Sequence, residues 1–160
     1  MNDSFTIRQA TLADVAIIVA HRHQMYEDMG LNDPALHAAM EEHFVPWLRE
    51  RLENGRYLEW FAETAEGEVV AGAGMWLQDW PPGFHDWSAY RGYIFNVYTK
   101  PDYRRKGLAR RVVQAALDWC GANGISRVSL HYSDQGRTLY EAMGFEHNNE
   151  MRIKVNDPHP

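Results

Sequence analysis

The sequence predicts a single α/β (α+β) domain built around a mixed sheet. Three observations predict it. Segments of period-two and period-3.6 hydrophobicity alternate in the order β-α-α-β-β-β-α-β-α-β. No internal repeat or Pro/Gly/Ser-rich linker divides the chain. Its 160 residues are enough for one domain to bury most of its apolar surface without staples. One domain is therefore expected over residues 1–160, with 156–160 a flexible, frayed tail.

The elements follow from their own residues. Phe5 and Ile7 alternate with polar neighbours as a first strand. Thr11 and Asp14 form a capping-box-like start, and Leu12, Val15, Val19 and Tyr26 continue at helical spacing to a stop at Gly30. Asp33 and Pro34 open a second helix as N-cap and first helical residue. Pro46 is expected to break or kink it, leaving a piece from Trp47 to the stop at Asn54-Gly55. Tyr57 to Thr64 and Glu68 to Leu77 read as strands joined by a tight turn at Glu66-Gly67. Gly72 and Gly74 mark a bulge or close approach in the second of them.

Gln78 to Tyr90 is a loop by its Pro-Pro-Gly core, yet unusually aromatic. Tyr93 to Thr99 is the next strand. Gly107 to Asn123 is a helix with an apolar stripe of Leu108, Val112, Ala116, Trp119 and Cys120, ended by Gly124. Val128, Leu130 and Tyr132 alternate in a further strand. Ser133 is placed to N-cap a short helix that stops at Gly144, and Phe145 with Met151 to Val155 supply the last extended segments.

Composition narrows the function classes. Hydrophobic residues at 45% and charged residues at 24% describe a soluble globular chain. No run approaches the roughly 18 consecutive apolar residues of a membrane span, so no membrane partner is expected. The start, MNDSFTIRQA, does not read as a signal peptide, and the lone Cys120 fits a reducing cytoplasm. A net charge of −6 should repel polyanions, which disfavours a nucleic-acid partner. The basic cluster at 104–111 is therefore sized for a small anion.

That cluster is the most informative stretch. A strand runs to Pro101, and Arg104, Arg105, Lys106 and Gly107 then lead into a helix. Backbone N–H groups, a helix N-terminus and positive charge converge there, as a bound pyrophosphate requires. The same residues also read as an ordinary capped helix with solvated charges. Downstream stands Leu139-Tyr140-Glu141-Ala142-Met143-Gly144-Phe145.

Arg104-x-x-Gly107-x-Ala109 after a strand, together with the Leu139 to Phe145 segment, resembles the GNAT superfamily of N-acetyltransferases. The resemblance implies a central, mostly antiparallel twisted sheet flanked by about four helices, with acetyl-CoA as co-substrate and no metal. It implies that Val97, Tyr98 and Thr99 line the pantetheine arm through their backbone. Arg105, Lys106, Gly107, Leu108, Ala109 and Arg110 would wrap the pyrophosphate, Gly107 allowing its close approach. Arg104 fills the first motif position, with the alternative that it braces the turn. A backbone N–H at Asn96 to Tyr98 would meet the oxyanion. Tyr140 would protonate the departing thiolate. Ser133 stands where many members carry a cofactor-binding Asn.

The general base is not carried over, since Ile94, Phe95 and Asn96 offer no carboxylate where some members place a glutamate. Glu27 and Asp28 close the first helix in a region that borders the acceptor site in the family. His21, His23, Asp79, His85 and Asp86 are further candidates, and so is a water chain. His21 and His23 are spaced i, i+2 and point to opposite helix faces, against a shared metal. Trp76, Trp80, Phe84, Trp87, Tyr90 and Tyr93 read equally as a wall of the acceptor pocket or as core or dimer surface. The expectation is transfer of acetyl to a primary amine of a small molecule or peptide, the acidic chain mildly favouring a cationic acceptor. The alternative is a non-catalytic acyl-CoA-sensing module. Homodimerisation is a tendency of the family.

Overall fold

A computed structural model describes residues 4–156. The element order is β1 (Thr6–Gln9), α1 (Val15–Asp28), α2 (Pro34–Glu53), β2 (Tyr57–Glu63), β3 (Val69–Asp79), β4 (Tyr90–Thr99), α3 (Leu108–Ala122), β5 (Val128–Leu130) and α4 (Arg137–Ala142). One five-stranded sheet has the order β1-β2-β3-β4-β5, antiparallel throughout except for the parallel pair β4 and β5. No helix among the described residues is long and apolar enough to cross a membrane. Of the expected frayed tail, residues 157–160 lie outside the described part.

Both faces of the sheet are covered, which is why β2 is buried along nearly its whole length. Leu58, Trp60 and Ala62 face one cluster with Val112, Val113 and Ala116 of α3. Tyr57 and Phe61 face another with Ile18 of α1 and Phe44 and Leu48 of α2. The period-two alternation of the strand thus sorts its side chains between two helical layers. Cys120 belongs to the α3 layer, donates to Met75 Sδ at 3.2 Å, and has its thiol pushed up to about 11 by burial.

The caps act as their sequences predict. Thr11 and Asp14 form a capping box, and Asp33 Oδ1 accepts from the N–H groups of Ala35 and Leu36. The first capping box opens a short 3-10 turn that leads into α1.

Three expectations are corrected. The helix does not break at Pro46, because α2 runs through it as one element. Proline removes one helical hydrogen bond, but buried Phe44 and Leu48 anchor the helix on either side. Ser133 does not cap α4 directly. Its Oγ accepts from Gly136 N–H at 3.3 Å in a preceding turn, and Gly136 holds the cap position. Met151 to Val155 form no strand: Met151, Ile153 and Val155 are 94%, 84% and 81% exposed. Their alternation has the strand period, but no neighbouring strand pairs with them among the described residues.

Candidate functional site

The site is organised by two irregularities of β4 and the turn that follows it. Gly72 pairs with Tyr98 and Gly74 with Phe95, so Asn96 and Val97 together face the single residue Ala73. This is a β-bulge, and Asn96 takes φ +54° within it. Asparagine tolerates the left-handed region better than most side chains. The bulge turns Asn96 toward the α1 and α2 layer, where Phe95 already points, and interrupts the ladder at that position.

Beyond Thr99 a 3-10 turn (Pro101–Tyr103) leads to Arg105 at φ +61° and Gly107 at φ +76°. Gly107 is the N-cap of α3, and no side chain caps the helix there. A Cβ on Gly107 would meet nothing within 4 Å. Glycine is needed there for its conformation, a reason separate from the close approach expected at that residue. The N–H groups at the start of α3, at Leu108, Ala109 and Arg110, are left without a side-chain cap, the arrangement that an anion site uses.

Arg104 braces this turn. Its Nε donates to the Thr99 carbonyl at 3.0 Å, and its guanidinium pairs with Asp28 at the end of α1. Arg110 reaches the Ala142 carbonyl at 3.4 Å, tying α3 to α4. Lys106 lies over the rings of Phe5 and Tyr103.

Tyr140 is buried in α4, its ring edge-on to Phe145. Its ring also lies against Gly136, where a Cβ would come within 2.9 Å of Cε2. That contact accounts for glycine at a position where alanine would favour the helix. Burial pushes the Tyr140 phenol up to about 12. An open groove of about 1190 Å³ runs past Tyr140, between β5, α4 and the segment after Gly144. Ser133 is exposed on the turn before α4.

On the opposite face lies a smaller cavity of about 290 Å³, lined by Arg22, Phe44, Trp47, Trp76, Tyr93 and Phe95. A buried polar chain borders it. Arg22 Nη1 donates to Asn96 Oδ1 at 2.5 Å, Asn96 Nδ2 donates to Tyr57 Oη at 3.2 Å, and Tyr57 Oη donates to Glu59 Oε2 at 2.5 Å. Glu59 is 0% exposed, and burial pushes its carboxyl up to about 8. The two glycines of β3 make room for the chain: a Cβ on Gly74 would sit 2.1 Å from Tyr57 Oη, and one on Gly72 2.9 Å from Glu59 Oε1.

Arg22, Tyr57 and Glu59 escaped the sequence reading. The signal was present in Gly72 and Gly74 facing the strand that carries Glu59, since a buried carboxyl needs small neighbours.

The sequence-derived candidates separate spatially. Trp76 lines the small cavity, Tyr93 lines both that cavity and the open groove, Trp80 and Phe84 border the groove, and Trp87 is exposed. Glu27 is exposed at the end of α1, and Asp28 is held by Arg104. His21 packs against Phe61 and Tyr98, and burial, aided by the charge of Lys100, pushes it down to about 4. His23 points to α2, 3.4 Å from Glu41. Asp79 pairs with Arg56 at 2.9 Å. His85 stacks edge-on to Phe84. Asp86 is held below the usual carboxylate range by hydrogen bonds from Ser126 and the Ser88 N–H. No three His, Cys, Asp or Glu side chains gather at metal-binding distance among the described residues.

Comparison with known proteins places these features in context. Residues 19–145 match a model of the acetyltransferase (GNAT) family. An uncharacterised N-acetyltransferase of Bacillus subtilis, YhfO, is 33% identical over 144 residues, 88% of this chain and 89% of that protein. A GCN5-related N-acetyltransferase from Ralstonia eutropha superposes with a TM-score of 0.85 at 30% identity, over 95% of this chain and 99% of that one. A predicted acetyltransferase from Clostridium acetobutylicum, solved with acetyl-CoA, superposes with a TM-score of 0.84 at 25% identity, over 96% of both chains.

Proposed function

We propose a function from a firm premise: this chain belongs to the acetyltransferase (GNAT) family. Its activity is acetyl-CoA-dependent N-acetylation, with direct transfer of the acetyl group to a primary amine of a small molecule or peptide. One observation carries the reading. Asn96, Arg105 and Gly107, all left-handed, lie along a single strand–turn–helix path. The first interrupts the β4 ladder where an oxyanion needs a donor, and the others present the uncapped α3 N-terminus where a pyrophosphate needs donors.

Acetyl-CoA supplies the activated thioester when bound. The backbone of Val97 to Thr99 holds the pantetheine arm, and the N–H groups of residues 105–110 hold the diphosphate. Arg104 acts through the turn that it braces. A backbone N–H of the bulge at Asn96 to Tyr98 stabilises negative charge on the carbonyl oxygen as the neutral amine attacks. Tyr140, a phenol that keeps its proton at neutral pH, gives that proton to the sulfur as the C–S bond breaks. Ser133 shapes the approach to α4 from its turn.

The test is release of free thiol from acetyl-CoA across an amine panel, alongside thermal shift. Acetyl-CoA at 100 times its Kd should add about 2.7 kcal/mol of stability, and at least one amine should release thiol. A shift in Tm with no thiol release from any amine would leave an acyl-CoA sensor in place of an enzyme.

A further inference from the structure

The small cavity beside the bulge carries chemistry that acetyl transfer alone does not require. Its lining is five aromatic side chains and one cation, with no carboxylate or imidazole. The cation, Arg22, is unusually placed. Its guanidinium carbon lies 4.5 Å from the centre of the Phe44 ring, 4.9 Å from Tyr26 and 5.9 Å from Phe95. Nη1 is spent on the neutral Asn96 amide, and Nε is buried with no hydrogen-bond partner. No described carboxylate forms an ion pair with it.

A half-buried guanidinium held by rings and a neutral amide is poorly compensated, because burial of a charge is costly unless an opposite charge accompanies it. Guanidinium also matches a planar carboxylate in geometry. The missing counter-charge is thus the business of a ligand.

We infer that this cavity receives an amine bearing both a carboxylate and a flat apolar group, an aromatic α-amino acid in chemical class, with Arg22 as the carboxylate's partner. The inference rests on the acetyl-transfer reading above and deepens it by naming the acceptor. Trp47, Trp76, Tyr93 and Phe95 supply the faces on which an aromatic side chain stacks. The volume is at the small end of ligand sites, suited to one amino acid. Arg22 is bonded to Asn96, the bulge residue, so a carboxylate on Arg22 sets the adjacent α-amine beside the interrupted ladder. The same positive charge disfavours the ammonium form of that amine, and so promotes loss of its proton to water before attack. A cationic polyamine, favoured by the net charge of the chain, would meet like charge here.

The experiment compares thiol release with L-phenylalanine, L-phenylalaninamide, phenylethylamine, L-alanine, spermidine and glucosamine 6-phosphate. Intrinsic tryptophan fluorescence follows acceptor binding separately, through Trp47 and Trp76. The expected result is a kcat/KM for phenylalanine at least tenfold above phenylethylamine, phenylalaninamide and alanine. Arg22→Gln should abolish the preference over phenylethylamine, and Arg22→Lys should restore part of it, with the acetyl-CoA thermal shift kept in both as the sign of a folded donor site. Preference for phenylethylamine, spermidine or the amino-sugar phosphate overturns the inference and leaves acetyl transfer standing. Phenylalanine binding by fluorescence with no thiol release from any amine keeps the cavity assignment and overturns the transfer reading. Absence of both binding and thiol release with phenylalanine overturns the assignment of the cavity.

Discussion

The two sides of β4 are built in opposite ways. On the side proposed for the donor, the turn from Thr99 into α3 is made of consecutive residues that present backbone, with Arg105 and Gly107 in left-handed conformations. On the side proposed for the acceptor, the cavity draws side chains from α1, α2, β3 and β4, and its polar chain joins Arg22 to Asn96 across 74 positions of sequence. Backbone recognition tolerates many side chains and demands a few conformations. Side-chain recognition demands particular residues and cares little for their place in the sequence. A family sharing one donor and many acceptors should show this division, because only the donor half is under a common constraint.

The largest effect expected is at Tyr140, which borders the open groove. Tyr140→Phe should lower kcat by about 10²–10⁴-fold, the range of general acid–base catalysis, with the acetyl-CoA Kd little changed. Thiol-release kinetics and a binding titration check the two parts, and unchanged turnover would remove Tyr140 from the chemistry.

Two glycines then set conformation against space. Gly74→Ala places a methyl 2.1 Å from Tyr57 Oη, and should cost roughly 1–3 kcal/mol as an overpacked core does. Tyr57→Phe in the same chain should recover part of that loss. Gly107→Ala meets no atom and pays only for its φ of +76°, about 1–2 kcal/mol. Gly107→Asn should be milder, since asparagine accepts that conformation. Denaturant melts rank the four variants, and equal losses in Gly107→Ala and Gly107→Asn, with no recovery by Tyr57→Phe, would dissolve the distinction.

The acceptor side should also show in the pH dependence of stability. Glu59 has a folded value of about 8 against a usual 4.5, so between these limits the folded state holds a proton that the unfolded chain has lost. Stability therefore falls as pH rises through that window, by at most about 1.4 kcal/mol per unit for one proton. His21 acts in the other sense: neutral when folded down to about 4 against a usual 6.5, it removes stability as pH falls below 6.5. Glu59→Gln should abolish the loss toward pH 8 and leave the acid limb of His21 intact. A slope that survives the substitution would assign it to another group.

The smallest effects belong to exposed groups around the donor turn. Arg104 and Asp28 are both well exposed, so Asp28→Asn should change stability by no more than about 1 kcal/mol. Ser133→Ala should stay within about 0.5 kcal/mol, as surface substitutions do. Larger losses in either would show that the donor half also depends on side chains.

Much of the fold was legible because it is written locally. Thr11, Asp33, Gly30, Gly55 and Gly124 stop or start helices through their own caps and positive φ values. The misjudged elements are those where distant packing overrides local preference. Pro46 lies within a helix whose neighbours Phe44 and Leu48 are pinned to β2, and Met151 to Val155 alternate correctly yet have no strand beside them. Gly72 and Gly74 were legible as a bulge, but the Tyr57 hydroxyl and Glu59 carboxyl that occupy their missing side-chain space were not.

By itself, then, the sequence determined the order of elements through α4, the basic turn at 104–110 and the tyrosine of α4, because caps, left-handed turns and helix starts depend on neighbours a few positions apart. Tertiary structure alone decided the acceptor half. Arg22, Phe44, Trp47 and Phe95 are unremarkable where they stand in the chain, and with Trp76 and Tyr93 they become a cationic aromatic cavity only when two helices close over the bulge of β4. The reason is physical: a helix cap is a hydrogen bond within one turn, whereas a cavity is the space that remains after distant side chains have packed.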